Sequence, residues 1–351
     1  MARRVVNAIG VNNLSLLFAG ALLIVVIFQQ QPLFLSWQNL LNSLAQSVAI
    51  VGLLALGETV VVIGGGLDIS IGSMASVASV TSALALVGGV FGGQFTNSVF
   101  GGVLFGVTIG VGLGLINGLI VTMLRVNPII ATLATLAMYA GLAFLLVHDG
   151  KPVGIVTQLD FSWLASGRVF ENAPIPPLGG TRWTGVPVLF LILIAAIFCF
   201  HILMRYTSFG RTVYAIGGNE TAARLAGIDV RRVKLTMYAL SGATAGLAGV
   251  LLTARTTSGD PSNGSGLELQ AITAVFLGGA ATTGGSGTMA GTVLAFVLVG
   301  ILNNGMNLIG LNTFYQQVAL GALLVGAVSL NQWRQSRAER ARIKFAAGHG
   351  Q

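Results

Sequence analysis

Apolar stretches of about 20 residues recur along this chain from end to end, and each is long enough to cross a hydrocarbon core of roughly 30 Å as a helix. That repetition predicts an all-α, polytopic bundle embedded in lipid. Composition agrees: 54% of the 351 residues are hydrophobic and only 8% are charged, against about a quarter charged in soluble domains. The mean hydropathy is +0.86. A soluble chain of this length would divide into two or three domains, but uninterrupted apolarity favours one membrane domain over residues 1–333, followed by a basic tail over 334–351.

The formal net charge of +8 does not point to nucleic acid, because the positive residues gather at the two ends and in one short loop. Arg3 and Arg4 precede the first apolar stretch, and Arg334, Arg337, Arg340, Arg342 and Lys344 follow the last. The stretch 14–28 behind its basic start resembles a signal-peptide core. Ala19, Gly20 and Ala21 lie within that stretch rather than after it, which favours a retained helix. Cys199 is alone, which excludes a disulfide framework or thiolate cluster. His148, His201 and His349 are too scattered to suggest a metal site, and none is expected.

Gly, Pro and charge clusters divide the apolar stretches into ten candidate spans, near 14–31, 40–63, 70–90, 98–123, 127–147, 185–204, 235–253, 267–283, 288–309 and 313–330. The eighth is short and Gly-rich. An even count places both termini on one side, and the charge map makes that side cytoplasmic. Arg125 follows the fourth span, and Arg205, Arg211, Arg224, Arg231, Arg232 and Lys234 follow the sixth, all inside. The segment 148–185, with Pro174, Pro176 and Pro177, becomes a long outer excursion.

Gly102, Gly106, Gly110, Gly114 and Gly118 recur every fourth residue of the fourth span, a stripe that packs helices closely or lines a translocation path. Gly242 with Gly246, and Gly287 with Gly291, repeat the spacing. A faint echo between Leu115-Ile116-Asn117-Gly118 and Leu302-Asn303-Asn304-Gly305, on helices expected to run oppositely, suggests an inverted repeat.

The most informative hydrophilic segment is the inner loop 205–234. Asn219 is placed to cap a short helix, Glu220 sits at its positive end, and Gly227 stops it. Alone, so short a helix is marginal, so it must rest on something: lipid headgroups or a protein partner. Here Glu220-Thr221-Ala222-Ala223-Arg224-Leu225-Ala226-Gly227 resembles the coupling loop of ABC importer permeases.

Further motifs carry the resemblance over nearly the whole chain. Gly64-Gly65-Gly66-Leu67-Asp68-Ile69-Ser70-Ile71-Gly72-Ser73 is similar to a signature of the ribose, xylose and arabinose permease family. So are Asn127-Pro128-Ile129-Ile130-Ala131-Thr132-Leu133, Tyr214-Ala215-Ile216-Gly217-Gly218-Asn219, and Phe276-Leu277-Gly278-Gly279 followed by Gly284-Gly285-Ser286-Gly287-Thr288. Gly66, Leu67 and Asn127 depart from that pattern.

The resemblance implies that Glu220, Ala222, Ala223, Arg224 and Gly227 couple the chain to a separate ATP-binding subunit. It also implies a second permease subunit, identical or not, and a periplasmic solute-binding protein. ATP and Mg would be used by the partner and no cofactor by this chain, since Gly150-Lys151 is followed by Pro152 and no phosphate-binding Gly-Lys-Ser/Thr loop is present.

Ionisable groups inside a membrane are functional candidates. Asp68, beside Ser70, either caps the third span or makes gating contacts, and Glu58, one turn from its span's end, is expected to pair with a cytoplasmic Arg. Asn117, Asn303, Asn304 and Asn307, with Gln316 and Gln317, either line a path for a sugar or hydrogen-bond neighbouring helices. Nothing resembles an acid, base and nucleophile set, so the chain is not expected to be an enzyme. Two rival readings stay open: a permease for branched-chain amino acids, and an ion-driven secondary transporter.

Overall fold

The computed structural model describes residues 11–88, 98–155 and 159–348. Arg3, Arg4, His349 and the last two residues of the expected third span lie outside them. Helices occupy all ten expected places. They are α1 (Val11–Gln30), α2 (Ala45–Ile63), α3 (Ile71–Leu86), α4 (Val99–Met123), α5 (Pro128–Leu145), α7 (Val188–Tyr206), α10 (Val230–Thr256), α11 (Leu267–Leu277), α12 (Met289–Leu308) and α13 (Thr313–Gly348). Between them stand α6 (Leu159–Ser166), α8 (Ser208–Gly218) and α9 (Glu220–Leu225).

Among the described residues, six helical segments are long and apolar enough to cross a membrane, and four apolar helices are shorter. The shortest, α11, has 11 residues and spans only about 16 Å at 1.5 Å per residue. The protein is an all-α polytopic membrane protein. Two boundaries differ from expectation. The seventh helix starts at Val230 rather than 235, because Asp229 Oδ1 accepts the Arg232 N–H and caps it, so Arg231, Arg232 and Lys234 belong to its first turns. The last helix continues unbroken through the basic residues beyond 333.

Burial follows apolarity on two sides. α2 is buried from Val48 to Ile63, and α3 almost throughout, so these form the middle of the bundle. α1, α5, α7 and α13 turn Phe18, Ile130, Met138, Phe198 and Val318 outward, as lipid-facing helices do. α10 packs against α2, α3 and α4. Its crossing with α4 explains the glycine stripe. A Cβ on Gly110 would fall within the Gly242 carbonyl and 2.6 Å from the Gly246 Cα, and one on Gly114 would strike the Tyr238 carbonyl. At Gly110 and Gly114 the stripe is therefore a backbone-to-backbone contact, and at Gly102, Gly106 and Gly118 it is packed by the side chains of Leu86, Val250 and Leu235.

The described residues between α5 and α7 form small pieces, of which Ile155, Phe161 and Ala165 are buried in the main core and α6 packs against α10. Strand β1 (Val153–Gly154) pairs antiparallel with β4 (Ser258–Gly259), and β2 (Arg168–Val169) with β3 (Val186–Pro187). Trp37 Nε1 donates to Pro176 O at 2.9 Å and packs edge-on against Trp183, tying this excursion to the start of the second helical segment.

Candidate functional site

The short helix α9 forms by local rules. Asn219 Oδ1 accepts the Ala222 N–H at 3.0 Å and caps its start. At its end, Gly227 takes φ +84°, its N–H reaches Arg224 O at 3.1 Å, and the Ile228 N–H reaches Ala223 O at 3.1 Å. This paired closure is a Schellman ending, which needs a residue at ease with positive φ. Ala223 is buried with Ile216 and Val230, with Ile228 packed against them, so one face is pinned to α8 and α10. The opposite face presents Ala222, Arg224 and Leu225, the last 85% exposed.

Glu220 fastens this helix to the next. Its carboxylate lies 3.0 Å from Arg224 and 2.6 Å from Lys234. The Lys234 hydrogen bond, with Lys234 and Arg224 charges behind it, holds the Glu220 carboxyl below its ordinary value of 4.5. Beside it opens a cleft of about 930 Å³, lined by Arg125, Arg224, Arg231, Lys234, Glu220 and Asp229 among others. Four cations against two carboxylates make it a cationic surface.

The glycine motifs of distant segments meet next to α8. A Cβ on Gly284 would come within 2.7 Å of the Gly65 Cα, and one on Gly285 within 2.7 Å of the Gly218 Cα. The Gly285 N–H donates to Ile63 O at 2.8 Å, and Tyr214 Oη donates to Gly287 O at 2.8 Å. Thr132 Oγ1, from the Asn-Pro segment, donates to Leu67 O at 3.1 Å. Backbones approach this closely only without side chains between them.

One residue from Leu67, Asp68 is the centre of a buried polar knot. Its Oδ1 accepts from the Ser70 N–H at 3.2 Å, Ser70 Oγ at 2.7 Å and Asn117 Nδ2 at 3.2 Å, while Oδ2 accepts from Ser241 Oγ at 3.2 Å. Asn117 Oδ1 in turn accepts from Tyr139 Oη at 3.0 Å. Ser70 stands at the start of α3 without a side-chain cap, so Asp68 acts mainly as a tie between α3, α4 and α10.

Glu58 departs from expectation. It is fully buried, its Oε1 accepts the Asp68 N–H at 3.0 Å, and it makes no ion pair among the described residues. Its place on the buried α2, facing the break at 64–70, keeps it away from the loop arginines.

The asparagines divide. Asn117 is fully buried in the Asp68 knot, and Asn304 exchanges two hydrogen bonds with Asn39, at 2.8 and 2.9 Å. Both hold helices together. Asn303 and Asn307, with Gln316, instead line a cavity of about 200 Å³ near the far end of α10, some 40 Å along a 27-residue helix. Gln317 is exposed and is not part of its lining.

Two features escaped the sequence reading. Leu225 is an apolar side chain on an otherwise polar inner loop, a signal that was legible. The other is the serine series Ser73, Ser76, Ser79 and Ser82, spaced by three on α3. Ser79 Oγ lies 2.8 Å from Thr253 Oγ1 and accepts from Asn263 at 2.9 Å, and Ser76 Oγ accepts the Gly264 N–H at 3.0 Å. This series joins α3 to the end of α10 and the loop after it.

Comparison with known proteins supplies the family context. A family model described as "Branched-chain amino acid transport system / permease component" matches residues 39–328. The chain is 40% identical over 317 residues to the ribose import permease protein RbsC of Bacillus subtilis (strain 168), an alignment covering 90% of this chain and 91% of that protein. It is 34% identical over 322 residues to the ribose import permease protein RbsC of Escherichia coli (strain K12), covering 91% and 93%. With the L-arabinose transport system permease protein AraH of the same organism it shares 34% over 304 residues, covering 87% and 85%. No solved structure matches significantly.

Proposed function

Because the chain belongs to this family of transport-system permease components, we propose that it is the membrane-spanning permease subunit of an ABC importer for a simple sugar. The observation that carries this reading is α9, a capped and closed helix pinned by Ala223 and presenting Arg224 and Leu225 outward. Relatives of similar length that are ribose and arabinose permeases favour a sugar over a branched-chain amino acid. The chain is a multi-pass protein of the bacterial inner membrane.

In this proposal the ten helices are ten spans with both termini cytoplasmic, 1–333 is the permease domain, 148–185 lies outside and 334–351 is a cytoplasmic tail. A separate ATP-binding subunit, using ATP and Mg, docks at the loop 205–234. A second permease subunit and a periplasmic solute-binding protein complete the assembly. Closure of the ATP-binding subunits moves α9. The Glu220–Lys234 tie passes that motion to α10, and the Gly217-Gly218 contact passes it to the loops at Gly65 and Gly285. Packed backbones of this kind move as units between discrete arrangements.

Replacing Glu220 and Gly227 together tests the reading. Uptake should be abolished, and ATP hydrolysis should no longer respond to the binding protein. Unchanged transport would overturn it. An ion-driven carrier is disfavoured because the two buried carboxylates among the described residues, Glu58 and Asp68, each accept hydrogen bonds in the knot beside the inner loops.

A further inference from the structure

The cavity at the far end of α10 has a lining that differs in kind from the rest of the bundle. Side-chain amides of Asn263, Gln270, Asn303, Asn307 and Gln316 surround it, Arg255 stands among them, and no carboxylate does. Its walls between the amides are aliphatic, from Val48, Val51 and Val299. We propose that this cavity is an outer subsite that holds one neutral monosaccharide ring on its way through the chain, an inference that rests on the reading above as a sugar permease.

Four observations converge on that ligand. The first is an unmet demand. Asn303 Nδ2 donates to Gln270 Oε1 at 3.1 Å, while the buried Asn303 Oδ1 has no hydrogen-bond partner. A buried acceptor left without a donor is costly, and a sugar hydroxyl supplies a donor and can accept in return. The second is orientation. Asn304, the next residue, is locked to Asn39 by two hydrogen bonds, which fixes the rotation of α12 and aims Asn303.

The third is size. About 200 Å³ lies below the roughly 300 Å³ lower end for drug-sized ligands, which suits a single ring and not a disaccharide. The fourth is charge. Arg255 makes no hydrogen bond or ion pair with another described residue, so its donors are free for ring oxygens. A zwitterionic amino acid would find no carboxylate for its ammonium group here, and that separates this site from one for branched-chain amino acids.

The test uses the assembled transporter with its native Cys199 replaced by Ser. A reporter thiol is placed at the cavity edge by Ser47→Cys, and an outer control at Lys151→Cys. D-ribose or L-arabinose, at concentrations that saturate uptake, should slow labelling of the Ser47→Cys thiol by a small aqueous thiol reagent at least about threefold, and leave the control unchanged. Adding Asn303→Leu should remove that protection and lower uptake about tenfold, with ATP hydrolysis retained.

Labelling that is equally fast with and without a sugar the complex imports would overturn the subsite and leave the sugar-permease reading intact. A complex that imports neither sugar and shows no protection would overturn both. If Asn303→Leu fails to assemble, protection of the Ser47→Cys thiol with Asn303 in place still decides the matter.

Discussion

Asp68 and Glu220 are both carboxylates surrounded by donors, and their surroundings give them opposite duties. Asp68 is fully buried and ties three helices, so Asp68→Ala strands the Ser70 and Ser241 hydroxyls without an acceptor and leaves Asn117 Nδ2 only Ser70 Oγ. We expect a loss of about 3 kcal/mol or more, read as a lowered melting temperature in detergent, with Asp68→Asn milder. Glu220 is part-exposed, and exposed pairs contribute at most about 1 kcal/mol, so Glu220→Gln should leave expression and melting nearly unchanged while reducing ATP-driven uptake. Its folded pKa is depressed, so the tie is intact at neutrality and down to 4.5, and is lost as pH falls further through the folded value. Protection of the loop 219–228 from proteolysis should fail in that acid range, and Glu220→Gln should abolish the acid step. Sequence located the ends of α9, at Asn219 and Gly227, because an N-cap and a positive-φ stop are local rules. It misplaced Glu58 and left Asp68 open because the partners of Asp68 lie 49 and 173 residues away, where no local rule reaches.

At the level of elements, helix positions were legible because apolar runs between Gly, Pro and charge need no tertiary information. The start of α10 was not, since Arg231, Arg232 and Lys234 read as loop until Asp229 is seen to cap them. The glycine stripe was legible as a spacing but not as a contact until Gly242 and Gly246 were placed against it. That contact makes a sharp prediction. Gly110→Ala should destabilise by about 1–3 kcal/mol, because backbone and not a flexible side chain occupies the space. Gly112→Ala, two residues away with nothing within 4 Å of the new Cβ, should be neutral or slightly stabilising. Thermal melting of the two purified variants checks the pair, and equal melting temperatures would contradict the close crossing of α4 and α10.

Across the whole molecule, α10 joins the two regions on which the account depends: the cationic cleft beside α9 at its start and the amide-lined cavity near its end. If the spans are oriented as proposed, a Leu225→Cys thiol is labelled only from the cytoplasmic side and a Trp163→Cys thiol only from outside, in the Cys199→Ser background. The reverse pattern would invert the topology. The central claim is that energy enters through a partner at α9 rather than through the chain itself. Its most direct test is uptake of labelled ribose or arabinose into proteoliposomes that contain this chain with or without its ATP-hydrolysing subunit, supplied with binding protein and ATP on the appropriate sides. Accumulation that requires the subunit and ATP and persists when ion gradients are collapsed is the predicted result; accumulation by the chain alone, abolished by an ionophore, would contradict it.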